Sequence, residues 1–225
     1  MKEIPYMEAI GSILWPTVVS RPDTALAVGI LSQFIQNPGP AHWDGVKRVI
    51  SYLGTTKNLW LTFEGVKAQL ERYSNADWAT QPDRHSILGF SFYYGQGATL
   101  WSSKKQSIIA LSSTEAEYVA ETHAVKEALW LETFINEVTR INTKLLTVMC
   151  NNLGAISLAK NNKFHSRTKH IDLRYHFMHE AMEEGKITLK YVPSQENIAD
   201  IFTKSLAKVR FTELVTKLGL KMLEE

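Results

Sequence analysis

The sequence predicts an α/β fold, a mixed sheet covered by helices with a helical segment ahead of it. Three observations carry this. Apolar spacing is helical up to about residue 57 and turns strand-like from Leu59. Strand candidates joined by turn residues then precede one long amphipathic helix. Beyond that helix, strands and helices alternate, which calls for parallel pairing and helical cover.

The elements follow in order. Pro22 and Asp23 suit a helix start. Ala25, Val28, Leu31 and Phe34-Ile35 then recur at helical spacing as far as the breaker Asn37-Pro38-Gly39-Pro40. Ala41 to Leu53 carries Trp43, Val46, Val49-Ile50 and Leu53 on one face, and that face is expected to pack on a partner surface. Leu59–Phe63 and Leu70–Trp78 read as strands, and Ile87–Tyr94 and Ala98–Ser103 as a hairpin around Gly95-Gln96-Gly97. Ser112-Ser113-Thr114 caps a helix running to about Val138, with Glu115 and Glu117 in its favourable first turn. A strand at 145–150, helices at 153–161 and 169–184, a strand at 186–192 and a helix from Glu196 to about Leu206 complete the pattern. Trp60, Trp78, Trp101 and Trp130 are expected in the core.

Composition sets the outer bounds. At 225 residues, 44% hydrophobic and 21% charged, the chain suits a packed domain with an appendage rather than a disordered segment. The single cysteine, Cys150, excludes an internal disulfide and fits a reducing compartment, so a cytoplasmic or nuclear location is expected. No run approaches the roughly 18 apolar residues of a membrane span. A net charge of +2 hides an uneven distribution: Lys160 to His179 holds five Lys/Arg, four His and one acid, Asp172. His165, His170, His176 and His179 have no nearby cysteine and no zinc-site spacing, so they read as loop and helix surface.

Asp77, Glu117 and Asp200 lie where strand ends and first helical turns could gather them. Taken singly, each reads as a solvated surface acid. Together they suggest phosphodiester chemistry, in which two magnesium ions roughly 4 Å apart need about four carboxylates. Asn151 is the anomaly. It closes the apolar run Leu145–Cys150 and leads into a helix, a strand end where two-metal nucleases present an acid. Asn75 is a second amide in a comparable place.

Longer motifs give this a context. Leu111-Ser112-Ser113-Thr114-Glu115-Ala116-Glu117-Tyr118, the run Phe164 to Phe177, Tyr191-Val192-Pro193 and Asn197-Ile198-Ala199-Asp200-Ile201-Phe202-Thr203-Lys204 resemble the C-terminal ribonuclease H domain of copia-type LTR-retrotransposon polyproteins. Gly11-Ser12, Arg21-Pro22-Asp23, Asn37-Pro38 and His42–Arg48 resemble the end of the reverse transcriptase that precedes it. The resemblance implies a ribonuclease H-like five-stranded mixed sheet flanked by helices. It also implies a magnesium site of four acids cutting the RNA strand of RNA–DNA hybrids.

Carried over position by position, the first acid falls at Asn75, where the family reads Ser-Asp-Ala-Asp-Trp-Ala. The second falls at Glu117, the third at Asn151, where the family reads Cys-Asp-Asn, and the fourth at Asp200. Two of the four are therefore amides here, and catalysis is expected to be lost or impaired, with Glu117 and Asp200 left as metal ligands. Asp77 is expected to face away from the site unless the chain is irregular there. Glu115 is about 200° around the helix from Glu117, so one of the pair faces the site. The chain has no Tyr-x-Asp-Asp motif for DNA synthesis.

Domains are expected at 1–57, a helical remnant of the polymerase thumb; at 58–206, the ribonuclease H-like unit; and at 207–225, a helical tail. Lys163, Arg167, Lys169 and Arg174 are the candidate phosphate contacts to a hybrid or other nucleic acid. The rest of a reverse transcriptase is a further candidate partner. Two alternatives remain open at this level: an active magnesium-dependent enzyme that recruits Asp77 or Asn152, and a non-catalytic module binding nucleic acid or protein.

Overall fold

The computed structural model describes residues 4–63, 70–140, 146–161 and 172–222. Three helices come first: α1 (Tyr6–Val19), α2 (Ala25–Ser32) and α3 (Pro40–Thr55), with a 3-10 turn Pro22–Thr24 between the first two. Strands β1 (Leu59–Leu61), β2 (Glu71–Ala76), β3 (Ile87–Tyr94) and β4 (Gly97–Lys105) follow, then helix α4 (Ser113–Thr139). The chain ends with β5 (Leu146–Cys150), α5 (Leu153–Lys160), α6 (Asp172–Glu183), β6 (Ile187–Tyr191), a 3-10 helix Ile198–Phe202, α7 (Lys208–Lys217) and β7 (Leu220–Met222).

The main sheet has the order β4-β3-β2-β5-β6. β2, β3 and β4 pair antiparallel, while β5 lies parallel to both β2 and β6. The β3–β4 loop is a tight hairpin with Gly95 at φ 59° and Gln96 at φ 64°, the backbone sign that matches strand twist.

Helix α4 lies on one face of the sheet because its inward stripe is small. Ala116, Ala120, Ala124 and Ala128 recur every fourth residue, all at 0% exposure, and let the helix approach Phe90, Phe92 and Val148 closely. Ser112 caps it by accepting from the Glu115 backbone N–H at 3.2 Å, and Arg140 ends it in the left-handed conformation. The opposite face carries a second core of Tyr93, Ala98, Ile201, Phe202, Leu214 and Leu218. Gly89 is where the 3-10 helix crosses this face: a Cβ there would lie 2.6 Å from Phe202 Cβ.

The N-terminal helices form a third core around Ile10, Val28 and Val46. Their Arg21-Pro22-Asp23 motif has a structural explanation. Arg21 holds Asp23 through two hydrogen bonds (3.0 and 2.7 Å), Tyr52 Oη donates to the same carboxylate at 2.6 Å, and Arg21 also reaches Thr56 Oγ1 at 2.7 Å. This network ties the start of α2 to the end of α3. The three helices also touch the sheet: Trp101 Nε1 on β4 donates to Thr17 O at 2.9 Å, and Ala25 joins the second core.

Several sequence expectations need correction. Leu59–Leu61 leaves the main sheet and pairs with Leu220–Met222, so the C-terminal segment is helix plus strand. The helix expected at 196–206 is a 3-10 helix of five residues. Ile50, on the edge of the α3 stripe, stays exposed. Trp60, Trp78 and Trp130 are 55%, 53% and 59% exposed rather than core. Trp60 sits on a two-stranded ribbon, and Trp130 stacks on Phe134 at the surface of α4, centroids 5.8 Å apart.

Because Gly89 underlies the 3-10 helix, Gly89→Ala should push that helix off β3. The expected loss is about 1–3 kcal/mol, as for overpacking, read as a lower urea midpoint at unchanged m-value.

Candidate active site

Asn75 is the next-to-last residue of β2 and pairs with Gly89, whose missing side chain leaves room for the 3-10 helix above it. Asn197 fixes that helix. Its side chain caps the first turn, accepting from Ala199 N–H at 3.0 Å, and donates to Ser74 O on β2 at 2.8 Å. Asp200 is thereby brought onto Asn75, although 125 residues separate them.

The contact is specific. Asn75 Nδ2 donates to Asp200 Oδ1 at 2.6 Å, and Asn75 Oδ1 accepts from the Thr203 hydroxyl at 3.0 Å. The amide orientation follows from chemistry, since only the NH2 end can face a carboxylate. Lys204, one turn beyond Asp200, sets its ammonium 2.8 Å from the same Oδ1. A buried carboxylate is thus satisfied by an amide and an ammonium. The pair of Lys204 with Asp200 is an i,i+4 spacing visible in the sequence, although neither Lys204 nor Thr203 was expected at the site.

Glu117 approaches from the other side, accepting from the Ala76 backbone N–H at 2.7 Å at the end of β2. Burial, joined by the charges of Asp200 and Asp77, pushes its carboxyl up to about 8, against the opposing pull of the Ala76 N–H and Lys204. At neutral pH Glu117 is therefore mostly protonated. Glu121, one turn on, is fully buried beside Cys150, whose thiol is a weak donor to its carboxylate. Burial raises it to about 8 as well, and only its spacing one turn from Glu117 marks it beforehand.

Asn151 follows β5. Extending the parallel pairing of Tyr73 with Met149 by two residues sets Asn151 beside Asn75. Its side chain turns away to a different partner, donating to Ser194 Oγ at 2.9 Å, and its Oδ1 is buried without a partner among the described residues. Strand alternation would have put Asp77 on the same face as Asn75, so the expectation that it faces away had the wrong geometric ground. What occupies Asp77 is the β2–β3 connection: its carboxylate accepts from Ile87 N–H and from the Thr80 hydroxyl. Glu115 accepts from Leu111 N–H at 2.8 Å, outside this cluster. Lys163, Arg167 and Lys169 lie outside the described residues, while Arg174 lines a cavity between α4 and α6.

Of the four positions two are neutral amides and Asp200 is paired with Lys204, a donor set poor in negative charge for two divalent ions. Among the described residues no group of three or more His, Cys, Asp or Glu is arranged to hold a metal ion.

No protein-family model matches the chain. A retrovirus-related Pol polyprotein from transposon TNT 1-94 of Nicotiana tabacum is 41% identical over 212 residues, 94% of this chain and 16% of the polyprotein. The chain belongs to the copia-type LTR-retrotransposon Pol polyproteins. It spans about one-sixth of the length of that relative. A secreted RxLR effector protein 161 of Plasmopara viticola is 48% identical over 133 residues, 58% of this chain and 94% of that protein. Among solved structures, a foamy viral protease-reverse transcriptase in complex with double-stranded DNA matches with TM-score 0.54 at 13% identity. It covers 83% of this chain and 31% of that one, a likeness of fold alone.

The raised carboxyls set a pH dependence of stability. Glu117 and Glu121 hold protons in the folded chain up to about pH 8, whereas the unfolded chain releases them near 4.5. Their stabilising contribution is thus full below about 4.5 and is lost as pH rises toward 8. Stability should fall across that window by roughly 1 kcal/mol per pH unit for each group. Urea melts of Glu121→Gln should show a shallower fall; a slope equal to that of the unaltered chain would refute the assignment.

Proposed function

We propose that this chain is a ribonuclease H-like module that binds RNA–DNA hybrid with hydrolysis lost or strongly impaired. One observation carries the reading: the Asn75 amide is hydrogen-bonded to Asp200 while Lys204 occupies the same carboxylate oxygen. Divalent ions at this place would need negative ligands, and the network supplies an internal cation instead. Magnesium at this place is what the resemblance implies for the family; in this chain Glu117 and Asp200 alone would have to compensate its charge. Asp77 is a poor replacement, because both of its oxygens already accept hydrogen bonds from the β2–β3 connection.

Hybrid binding is compatible with this loss, since phosphate contacts need cationic side chains rather than metals. The basic run from Lys160 to His179 supports it, with Lys163, Arg167, Lys169 and Arg174 as the contacts. In the same reading, residues 1–57 are the end of a polymerase thumb, and 58–206 the nuclease-like unit. The segment 207–225 belongs with that unit, as the burial of Leu214, Leu218 and Leu220 in the second core supports. An intracellular site of action belongs to the same reading, and the likeness to retrotransposon polyproteins supports it.

The test restores the acids. The unaltered chain should retain a labelled hybrid without magnesium-dependent cutting of its RNA strand. Asn75→Asp with Asn151→Asp should gain both cutting and a magnesium-dependent rise in melting temperature. Changing even the outer partners of a metal site costs roughly 10–100-fold in affinity, so restoring two direct ligands should raise magnesium affinity by more than that. In EDTA the double variant should be less stable by about 1–3 kcal/mol, because a hydrogen bond to Asp200 becomes a like-charge contact. Robust magnesium-dependent cleavage by the unaltered chain would overturn the proposal.

A further inference from the structure

Helix α1 is apolar on both sides. Its inward face packs Tyr6, Ile10 and Ile13 into the third core. Its outward face carries Met7, Leu14, Trp15, Val18 and Val19, all exposed, with Trp15 the most so at 73%. Glu8 is the one charged residue among the 14 of the helix. A helix apolar all round belongs in an interior, yet among the described residues this one is covered on a single face. Five large apolar side chains standing this far out amount to on the order of 500 Å² in one patch, near the upper limit for a protein that stays alone in water.

The patch has relief as well as area. Beside it α1, α2 and β4 enclose a cavity of about 340 Å³ bordered by Leu14, Val18, Val28, Ser32, Leu100 and Trp101. An apolar cavity of roughly 150 Å³ already takes a benzene ring, so this one has room for an indole. Trp15 is not among the residues lining it. At about 100° per residue, Trp15 projects on the flank of the outward face opposite to Leu14. Indole and cavity thus stand at one level of the helix, on opposite flanks of the same face. A two-fold axis normal to that face exchanges the flanks, so the indole of one copy meets the cavity of the other. Gly11 lies on the midline one turn before Trp15, and a Cβ there would have nothing within 4 Å, which leaves space for a second helix to approach closely.

We propose that the outward face of α1 is a two-fold interface between two copies of this chain, in which Trp15 of each copy fills the cavity between α1, α2 and β4 of the other. Two such faces would bury roughly 1,000 Å², the lower bound for specific association. Each end would seat an aromatic anchor in a pocket, the arrangement in which binding energy concentrates. The dimer is therefore a reversible one, governed by concentration. It involves neither the acid cluster nor the hybrid-binding reading.

Sedimentation velocity of the full chain over a series of concentrations reads the association directly. The unaltered chain should pass from monomer to dimer as concentration rises. Trp15→Ser removes the anchor and Ser32→Trp plugs the cavity, and each should weaken the dimer by more than about tenfold. The urea midpoint of dilute Trp15→Ser should equal that of the unaltered chain, since the ring is exposed in the monomer. An equimolar mixture of the two variants keeps one anchor and one open cavity per pair, so it should recover part of the association that neither shows alone. Trp130→Ser, which breaks the exposed aromatic stack on α4, should leave the dimer as it is.

A chain that stays monomeric throughout would overturn the proposal and assign the apolar face to a partner other than itself. A dimer abolished by Trp130→Ser and not by Trp15→Ser would move the contact to α4 and overturn it too. A dimer indifferent to Ser32→Trp, or a mixture that recovers nothing, would overturn the exchange of Trp15 between copies.

Discussion

The hydrogen bond from Asn75 to Asp200 is the contact on which the arrangement of the site depends. It joins the end of β2 to the 3-10 helix Ile198–Phe202, although 125 residues separate the two partners in the chain. Neutral amide against carboxylate is an attraction, whereas two carboxylates at 2.6 Å would be a strong repulsion without a cation between them. The Lys204 ammonium completes the neutralisation from within the chain. Thr203 then closes the ring by donating to the Asn75 carbonyl, so each polar atom of this amide is satisfied in the interior. The amide and the ammonium together leave little net negative charge around Asp200.

Charge in the rest of the cluster is handled by protonation. Glu117 and Glu121 are both deep enough that water cannot stabilise their ionised forms, and each stays neutral at the pH where most surface acids are charged. Helix α4 can therefore carry two buried glutamates one turn apart beside the buried Tyr118, Ala124, Val125 and Ala128. At the α6 side of the same helix His123, Lys126 and Arg174 line a cavity, and among the described residues no acid lines it.

The helical appendage is held by different physics. The Arg21–Asp23 pair is almost fully buried, and such pairs owe their strength to geometry, here two parallel hydrogen bonds plus the Tyr52 hydroxyl. Apolar contacts do the rest, and Trp101 donates across to Thr17 so that the helices lean on the edge strand β4 instead of leaving it bare.

Much of this was present in the sequence by itself. Helical and strand periodicities, the Ser112 cap, the Gly95–Gly97 turn and the order of elements fixed an α/β sheet with its long helix, because those signals are local. The motif positions also singled out Asn75, Glu117, Asn151 and Asp200 as the places where the family's acids fall. What local signals could not decide was who bonds with whom. Only the folded chain shows that Asn75 takes Asp200 while Asn151 turns to Ser194, and that Asp77 is used by its own turn. Strand Leu59–Leu61 looked like a member of the main sheet because its apolar run is the same; its partner Leu220–Met222 lies at the far end of the chain. Protonation of Glu117 and Glu121 and the cations meeting around His123 likewise depend on burial and distance across elements, quantities that arise only when distant segments pack.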